Sequence, residues 1–326
     1  VVALFVVGIS VYKMTGSTID NTVGSTNGNT AGSTNDGMVG NVPDQTNSDN
    51  TNNEPEYIIG NNTITTLFYN EKEFHRSIEI KKEYEELDDT VVGIVPHHLV
   101  AADMISGFME GIAGGNYETV VIIGPKHYNN NSQIITSNAT WSTSFGSLPA
   151  DKDMIDRLIN MQTLQIDNNK EWMEADHAIS GLIPYIKKYL PEVKMVPILL
   201  SGSLTMSDVE HLSDFLAEVS VDKNILVLGS IDFSHYLNSK ESAIKDQETI
   251  QLIENKHYTR IKDLGDDYLD SPNTLLTLMK YIEKMDYQDL RLVDHSSSLD
   301  KIGLPESSEV FRDGLTTYLI YASKSE

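Results

Sequence analysis

Three of the nine histidines stand shortly after apolar, β-branched runs. His97 follows Val91-Val92-Gly93-Ile94-Val95-Pro96, His127 follows Val120-Val121-Ile122-Ile123-Gly124-Pro125-Lys126, and His235 comes just beyond Asn224–Gly229. Imidazole is the commonest metal ligand in proteins, and its unperturbed pKa of about 6.5 also suits proton transfer. One such histidine is ordinarily a loop or cap residue. Three at equivalent topological positions point to a shared ion or substrate. His98 competes with His97, but in extended backbone the two point to opposite sides, so one of the pair enters a site. Asp232, three residues before His235, either orients its ring through a hydrogen bond or caps a turn or helix. Asp176 and His177 fall near the start of a predicted helix, where acidic groups complement the macrodipole. Asp270-Ser271-Pro272 precedes a helix predicted over 275–285, and on sequence alone Asp270 reads as its N-cap.

Short runs this rich in Val and Ile read as buried strands of a parallel sheet. Proline cannot donate to the ladder and ends each run, leaving the histidine at a carboxyl end, where open α/β sheets bind ligands. As neighbours, the strands before His97 and His127 would lie about 4.8 Å apart, close enough for their imidazoles to converge. Between them the apolar spacing predicts a helix over 99–113, stopped by Gly114-Gly115. Further strands are expected at 63–69, 133–137, 194–200, 224–229, 290–293 and 316–322. Helices are expected at 151–161, 172–189 and 207–219 and through most of the chain to Met285, with a loop at 141–148. Strand and helix alternate, so the class is α/β, a single three-layer domain with a largely parallel central sheet.

Composition narrows the function. Asp and Glu total 48 against 24 Lys and Arg, a formal charge of −24, which repels phosphate backbones and excludes nucleic acid as a partner. There is no cysteine, so thiolate zinc sites and Cys-ligated iron–sulfur clusters are excluded. The chain opens on Val, as a fragment or processed form would, and residues 1–14 begin with the apolar VVALFVVGISVY. That run is shorter than the roughly 20 residues of a spanning helix, and we expect part of a membrane anchor or a signal sequence. Residues 15–56, dominated by Gly, Ser, Thr, Asn and Asp, are expected to be a flexible linker. The domain then occupies 57–326. This layout predicts a membrane-anchored or secreted, extracytoplasmic domain, the cytoplasmic side being left open. Membrane contact is expected through the N-terminal segment alone.

The motifs VPHH at His97, GPKHY at His127, WSTSFGSL before Asp151, ADHAIS at His177 and SIDFSHY at His235 occur in an order that resembles the Memo-like family. Its prokaryotic members are known as the B protein of the AmmeMemoRadiSam system. LFYNEKEF resembles the family's opening segment, and the likeness covers about Thr63 to Ala322. The resemblance implies a fold similar to class III extradiol dioxygenases, non-haem iron enzymes with a His, His, carboxylate site. The family's A-P-H histidine falls on His97 and the first histidine of its G-P-S-H-H on His127. The third ligand position, a cysteine in animal members, falls on Asp270. That set implies Fe(II) or a similar hard divalent ion, with Zn or Cu as alternatives. The D-F-x-H motif falls on Asp232 and His235, the latter in the acid–base position, and E-H-S-x-E falls on Asp176 to Ser180, placing His177 in the catalytic group. Ser180 replaces that motif's second glutamate, and Lys126 and Tyr128 flank His127 where the family differs. Two functions follow. One is a metal-dependent, dioxygenase-like oxidoreductase. The other is a non-catalytic metal-handling or protein-interaction domain tethered at a membrane surface. The partner in either case is an unidentified small molecule or protein.

Overall fold

The Val and Ile runs have two faces to bury, and helices cover both. A computed structural model describes residues 62–128 and 130–325. The apolar segment 1–14, the polar stretch 15–56 and the expected domain start at Tyr57 lie outside them. In chain order the strands are β1 (Thr63–Thr65), β2 (Thr90–Val95), β3 (Thr119–Pro125), β4 (Ile134–Thr136), β5 (Thr140–Thr143), β6 (Gly146–Leu148), β7 (Ile166–Asn168), β8 (Lys194–Leu200), β9 (Ile225–Ser230), β10 (His235–Leu237), β11 (Arg291–Ser297) and β12 (Leu315–Lys324). The main sheet runs β10-β12-β2-β9-β3-β8-β4-β7, with β11 also paired to β12. Its centre, β2-β9-β3-β8, is parallel. Antiparallel joints to β12 on one side and β4 on the other complete it.

Side chains alternate across this sheet with the period of two that strands impose. In β3, Val121 and Ile123 join a core with Leu212, Leu216, Leu275 and Leu278 from helices Met206–Ser220 and Pro272–Met285. Val120 and Ile122 join the opposite core with Met104, Ile105 and Phe108 from helix Ala102–Gly111 and Ile186 from helix Ile183–Tyr189. Each fully buried Val or Ile stabilises by roughly 1.5–3 kcal/mol. Close approach decides one position: a Cβ on Gly93 of β2 would lie 2.4 Å from Phe108 Cζ. The expected three-layer α/β domain is therefore what the chain forms.

Several local expectations are corrected. The strands before His97 and His127 are not neighbours, because β9 lies between β2 and β3. The expected loop at 141–148 contains the hairpin β5–β6, which joins β1 in a separate three-stranded sheet. The helix predicted over 172–189 is broken into Lys170–Ala175, His177–Ser180 and Ile183–Tyr189. The break comes at Asp176, whose ψ of 125° is extended. Short β7 and β10 carry too few residues to show a periodic pattern. Among the described residues no helix is long and apolar enough to cross a membrane.

Candidate metal centre

His97, His127 and Asp232 lie just past the carboxyl ends of β2, β3 and β9. His97 is 4% exposed, and its backbone N–H donates to Asp232 Oδ1 at 3.2 Å. Its Nδ1 lies 3.0 Å from Ser230 Oγ, at the end of β9. Ser230 gives its own hydroxyl hydrogen to the Ala178 carbonyl, so its oxygen must accept from Nδ1–H. The tautomer is thereby fixed, and His97 Nε2 carries a bare lone pair. That lone pair faces Asp270 Oδ2 at 3.2 Å and Asp232 Oδ2 at 3.7 Å.

His127 is held by a single carboxylate. Asp176 accepts its backbone N–H and its Nδ1–H, each at 2.9 Å, and also the N–H of Ala178 at 3.0 Å. The break in the predicted helix is what aims this side chain across to β3. A carboxylate on Nδ1 orients the ring and leaves Nε2 free for a ligand. Burial would push Asp176 up, but the His127 contact and the two backbone donors hold it below the usual carboxylate range. His177 stacks on His127 with ring centroids 4.0 Å apart and lies 5.2 Å from the His97 ring. His97 and His127 are 5.3 Å apart. Their rings reach toward each other over the end of the intervening β9. Burial, then the neighbouring imidazoles, pulls His177 down to about 4 and His97 well below the usual range. Both are therefore neutral and able to ligate.

Asp270 does not cap its helix. Ser271 occupies that position without a side-chain cap bond, and Asp270 turns to His97 instead. Its N–H donates to the Asp232 carbonyl at 3.1 Å, while Asp232 N–H donates to Asp270 Oδ2 at 3.3 Å. Asp270 Oδ1 is buried with no hydrogen-bond partner. Burial, then the charge of Asp232, raises Asp270 well above the usual carboxylate range. Burial also raises Asp232, against the influence of His98 and His235. His235 opens β10, and its Nδ1 is likewise buried and unpartnered. Burial lowers its pKa, with Asp232 and Asp266 opposing. His98 bonds Tyr318 Oη through Nδ1 at 2.8 Å yet is an electrostatic neighbour of His97, His177, Asp232 and His235. His98 itself is extended, and of the pair only His97 supplies an atom to the candidate ligand groups, while His98 acts on the cluster through its charge.

The ligand atoms form two overlapping groups, each within 4.8 Å: His97, His127 and His177, and His97, Asp232 and Asp270. The expected set of His97, His127 and Asp270 takes members from both, with His97 common to them. A metal with bonds of about 2.0–2.2 Å places adjacent ligand atoms roughly 3 Å apart. The 3.2 Å approach of the His97 lone pair to Asp270 Oδ2 fits that spacing, and without a proton or cation between them it would be repulsive. The unpartnered Asp270 Oδ1 is a further donor without an occupant. The residues fit a divalent cation. Asp176 and Ser230, which hold the two histidines, were not recognisable as such from sequence. Only the motif position of Asp176 beside His177 marked it.

Fold and site together define a three-layer α/β domain with a cluster of His and Asp side chains, spaced as a metal ion could use them, at the carboxyl ends of its parallel strands. A family model described as Memo-like protein matches residues 65–313, and the chain belongs to that family. It is 32% identical over 179 residues to a MEMO1 family protein of Methanococcus maripaludis, covering 50% of this chain and 60% of that one. To a MEMO1 family protein of Thermotoga maritima it is 26% identical over 212 residues, covering 60% and 71%. A crystal structure of an uncharacterized protein from Escherichia coli K12 aligns with a TM-score of 0.48 at 12% identity, covering 71% of this chain and 98% of that one.

Proposed function

We propose that this chain holds one divalent transition metal through Nε2 of His97, Nε2 of His127 and the Asp270 carboxylate, and acts as a metal-dependent, dioxygenase-like oxidoreductase. The observation that carries the reading is the 3.2 Å approach of the His97 lone pair to Asp270 Oδ2. Two imidazoles and a carboxylate suit Fe(II), and such an ion supplies Lewis-acid and redox chemistry with positions open to a substrate. His235 Nδ1, neutral through burial and unpartnered, is the atom that takes up a proton, with Asp232 as the neighbouring charge that favours the imidazolium. His177 lies flat against His127 and restricts that ring's rotation. Metal analysis of the purified chain tests this: about one ion per wild-type chain and none in the His97→Ala, Asp270→Ala double variant. Equal metal content in the two would sink the site.

The all-imidazole group of His97, His127 and His177 favours a second reading, a metal handler without turnover, since three imidazoles suit Zn or Cu. Metal lost in His177→Ala but kept in Asp270→Ala would select it. A tether at a membrane surface belongs to this reading and rests on the apolar residues 1–14. Membrane fractionation of the expressed chain tests it, and a wholly soluble, uncleaved product would count against it.

A further inference from the structure

Asp246 lies on helix Ser239–Glu254, fully buried, and is not a member of either candidate ligand group. Its Oδ1 accepts from Ser234 Oγ at 2.6 Å and Thr317 Oγ1 at 2.8 Å, and its Oδ2 meets His295 Nε2 at 2.7 Å. Ser234 sits between Asp232 and His235, and its segment is joined to β12 by two backbone bonds of 3.0 Å, Phe233 N–H to Thr317 O and Thr317 N–H to Ser234 O. One buried carboxylate thus gathers donors from the site-bearing segment, from β12 and from β11. A buried charge is costly unless paired, and the ion-pair partner of Asp246 is His295. The His295 side chain is 39% exposed, so solution protons reach it.

We propose that Asp246 is the positioning residue for the Asp232–His235 segment and that protonation of His295 tightens its hold. The inference concerns the chain's own hydrogen bonds and stands apart from the metal reading. The carboxylates that act on His295 are Asp246 from helix Ser239–Glu254, Asp294 beside it on β11, and Asp300 from helix Ser298–Ile302. Asp294 is already engaged by Lys82 Nζ at 2.8 Å and Tyr84 Oη at 2.6 Å. Across the ladder His295 meets Leu319, which is uncharged. Asp246 itself also faces the buried Tyr321 phenol. The hydrogen bond to Asp246 raises the His295 pKa, with burial opposing. A raised folded pKa means the extra hold is complete below the ordinary histidine range and is lost as pH rises through the folded value.

Hydrogen exchange at the Phe233 and Thr317 amides, followed from about pH 6 to pH 9, tests the proposal. In the wild type, protection corrected for intrinsic exchange should fall about tenfold as pH rises, as an ion pair gives way to a bond from neutral imidazole to the carboxylate. His295→Gln should show the lower protection throughout. Ser234→Ala, which keeps the ion pair and the Thr317 bond but removes the direct bond from Asp246 to the segment, should lower protection at both amides, with global melting little changed. Wild-type protection without pH dependence, His295→Gln retaining that dependence, or Ser234→Ala retaining full protection would each overturn it. Both variants leave Asp246 in place, so the test does not depend on a variant that empties a buried site. Loss of the metal reading would appear in metal content and leave these exchange results unchanged.

Discussion

His97 Nε2 lies 3.2 Å from Asp270 Oδ2, and Ser230 keeps the imidazole's proton on the far nitrogen. With no ion bound, burial and the charge of Asp232 favour the protonated Asp270 carboxyl, which can donate to the bare His97 nitrogen. A metal must displace that proton. Apparent metal affinity should therefore rise with pH, by up to about tenfold per unit while one proton is released, until Asp270 ionises unaided. Calorimetry in two buffers of different ionisation heat measures the released proton. Asp270→Asn should bind weakly and release none.

Asp176→Ala removes both contacts to His127 and the acceptor for Ala178 N–H. Metal affinity should fall about 10–100-fold. Loss of the cap on His177–Ser180 should cost about 1 kcal/mol more in stability. Metal titration and urea unfolding separate the two effects. Unchanged affinity would remove His127 from the ligand set.

His235→Gln should leave metal affinity within about twofold while abolishing turnover. Because burial lowers the His235 pKa, the basic form of the wild type should become available below the ordinary imidazole range. Any rate that needs that base should rise with pH through this lowered value and then level off. Loss of metal in the variant would make His235 a ligand instead.

Asp151 anchors the opposite end of the sheet. Its Oδ1 accepts Met154 N–H at 3.1 Å, and its Oδ2 accepts Thr119 Oγ1 at 2.7 Å and Lys223 Nζ at 2.6 Å. Burial pushes its pKa up, but Lys223, Thr119 and Met154 together hold it below the usual range. A depressed folded pKa gives stability that is present above the unfolded value of about 3.9 and lost as pH falls through the folded one. Asp151→Asn should cost about 1–2 kcal/mol at pH 7. That difference should shrink below about pH 4. Urea unfolding at neutral and acid pH checks this. A difference that stays constant would assign the loss to cap geometry.

The parallel strands were legible because Val120-Val121-Ile122-Ile123 is apolar on both faces, as a doubly covered strand must be. His97 and His127 were legible from the prolines that end those strands. The position of β9 was not, because strand order is set by long-range pairing that no local pattern encodes. The hairpin at Thr140–Leu148 was hidden by its short strands, which Trp141 nonetheless anchors by full burial against β1 and β6. The break at Asp176 was hidden because Trp172 to Tyr189 keeps helical composition throughout, and a contact with distant His127 overrides local propensity there. Asp270 looked like any helix cap. Its turn toward His97 depends on a bridge between Phe233 and Leu269 that pairs two loops far apart in sequence.

That bridge has a consequence for biosynthesis. His97, His127 and His177 leave the ribosome well before Asp270, which the Phe233–Leu269 bridge and its own bond to the Asp232 carbonyl hold beside the cluster. Until Asp270 emerges, the cluster has three imidazoles and the Asp232 carboxylate, one carboxylate short of its full set. The Asp270 carboxylate stands just before helix Pro272–Met285, and its contact with His97 spans a long stretch of sequence. The order of synthesis thus makes Asp270 the last member of the cluster to be supplied.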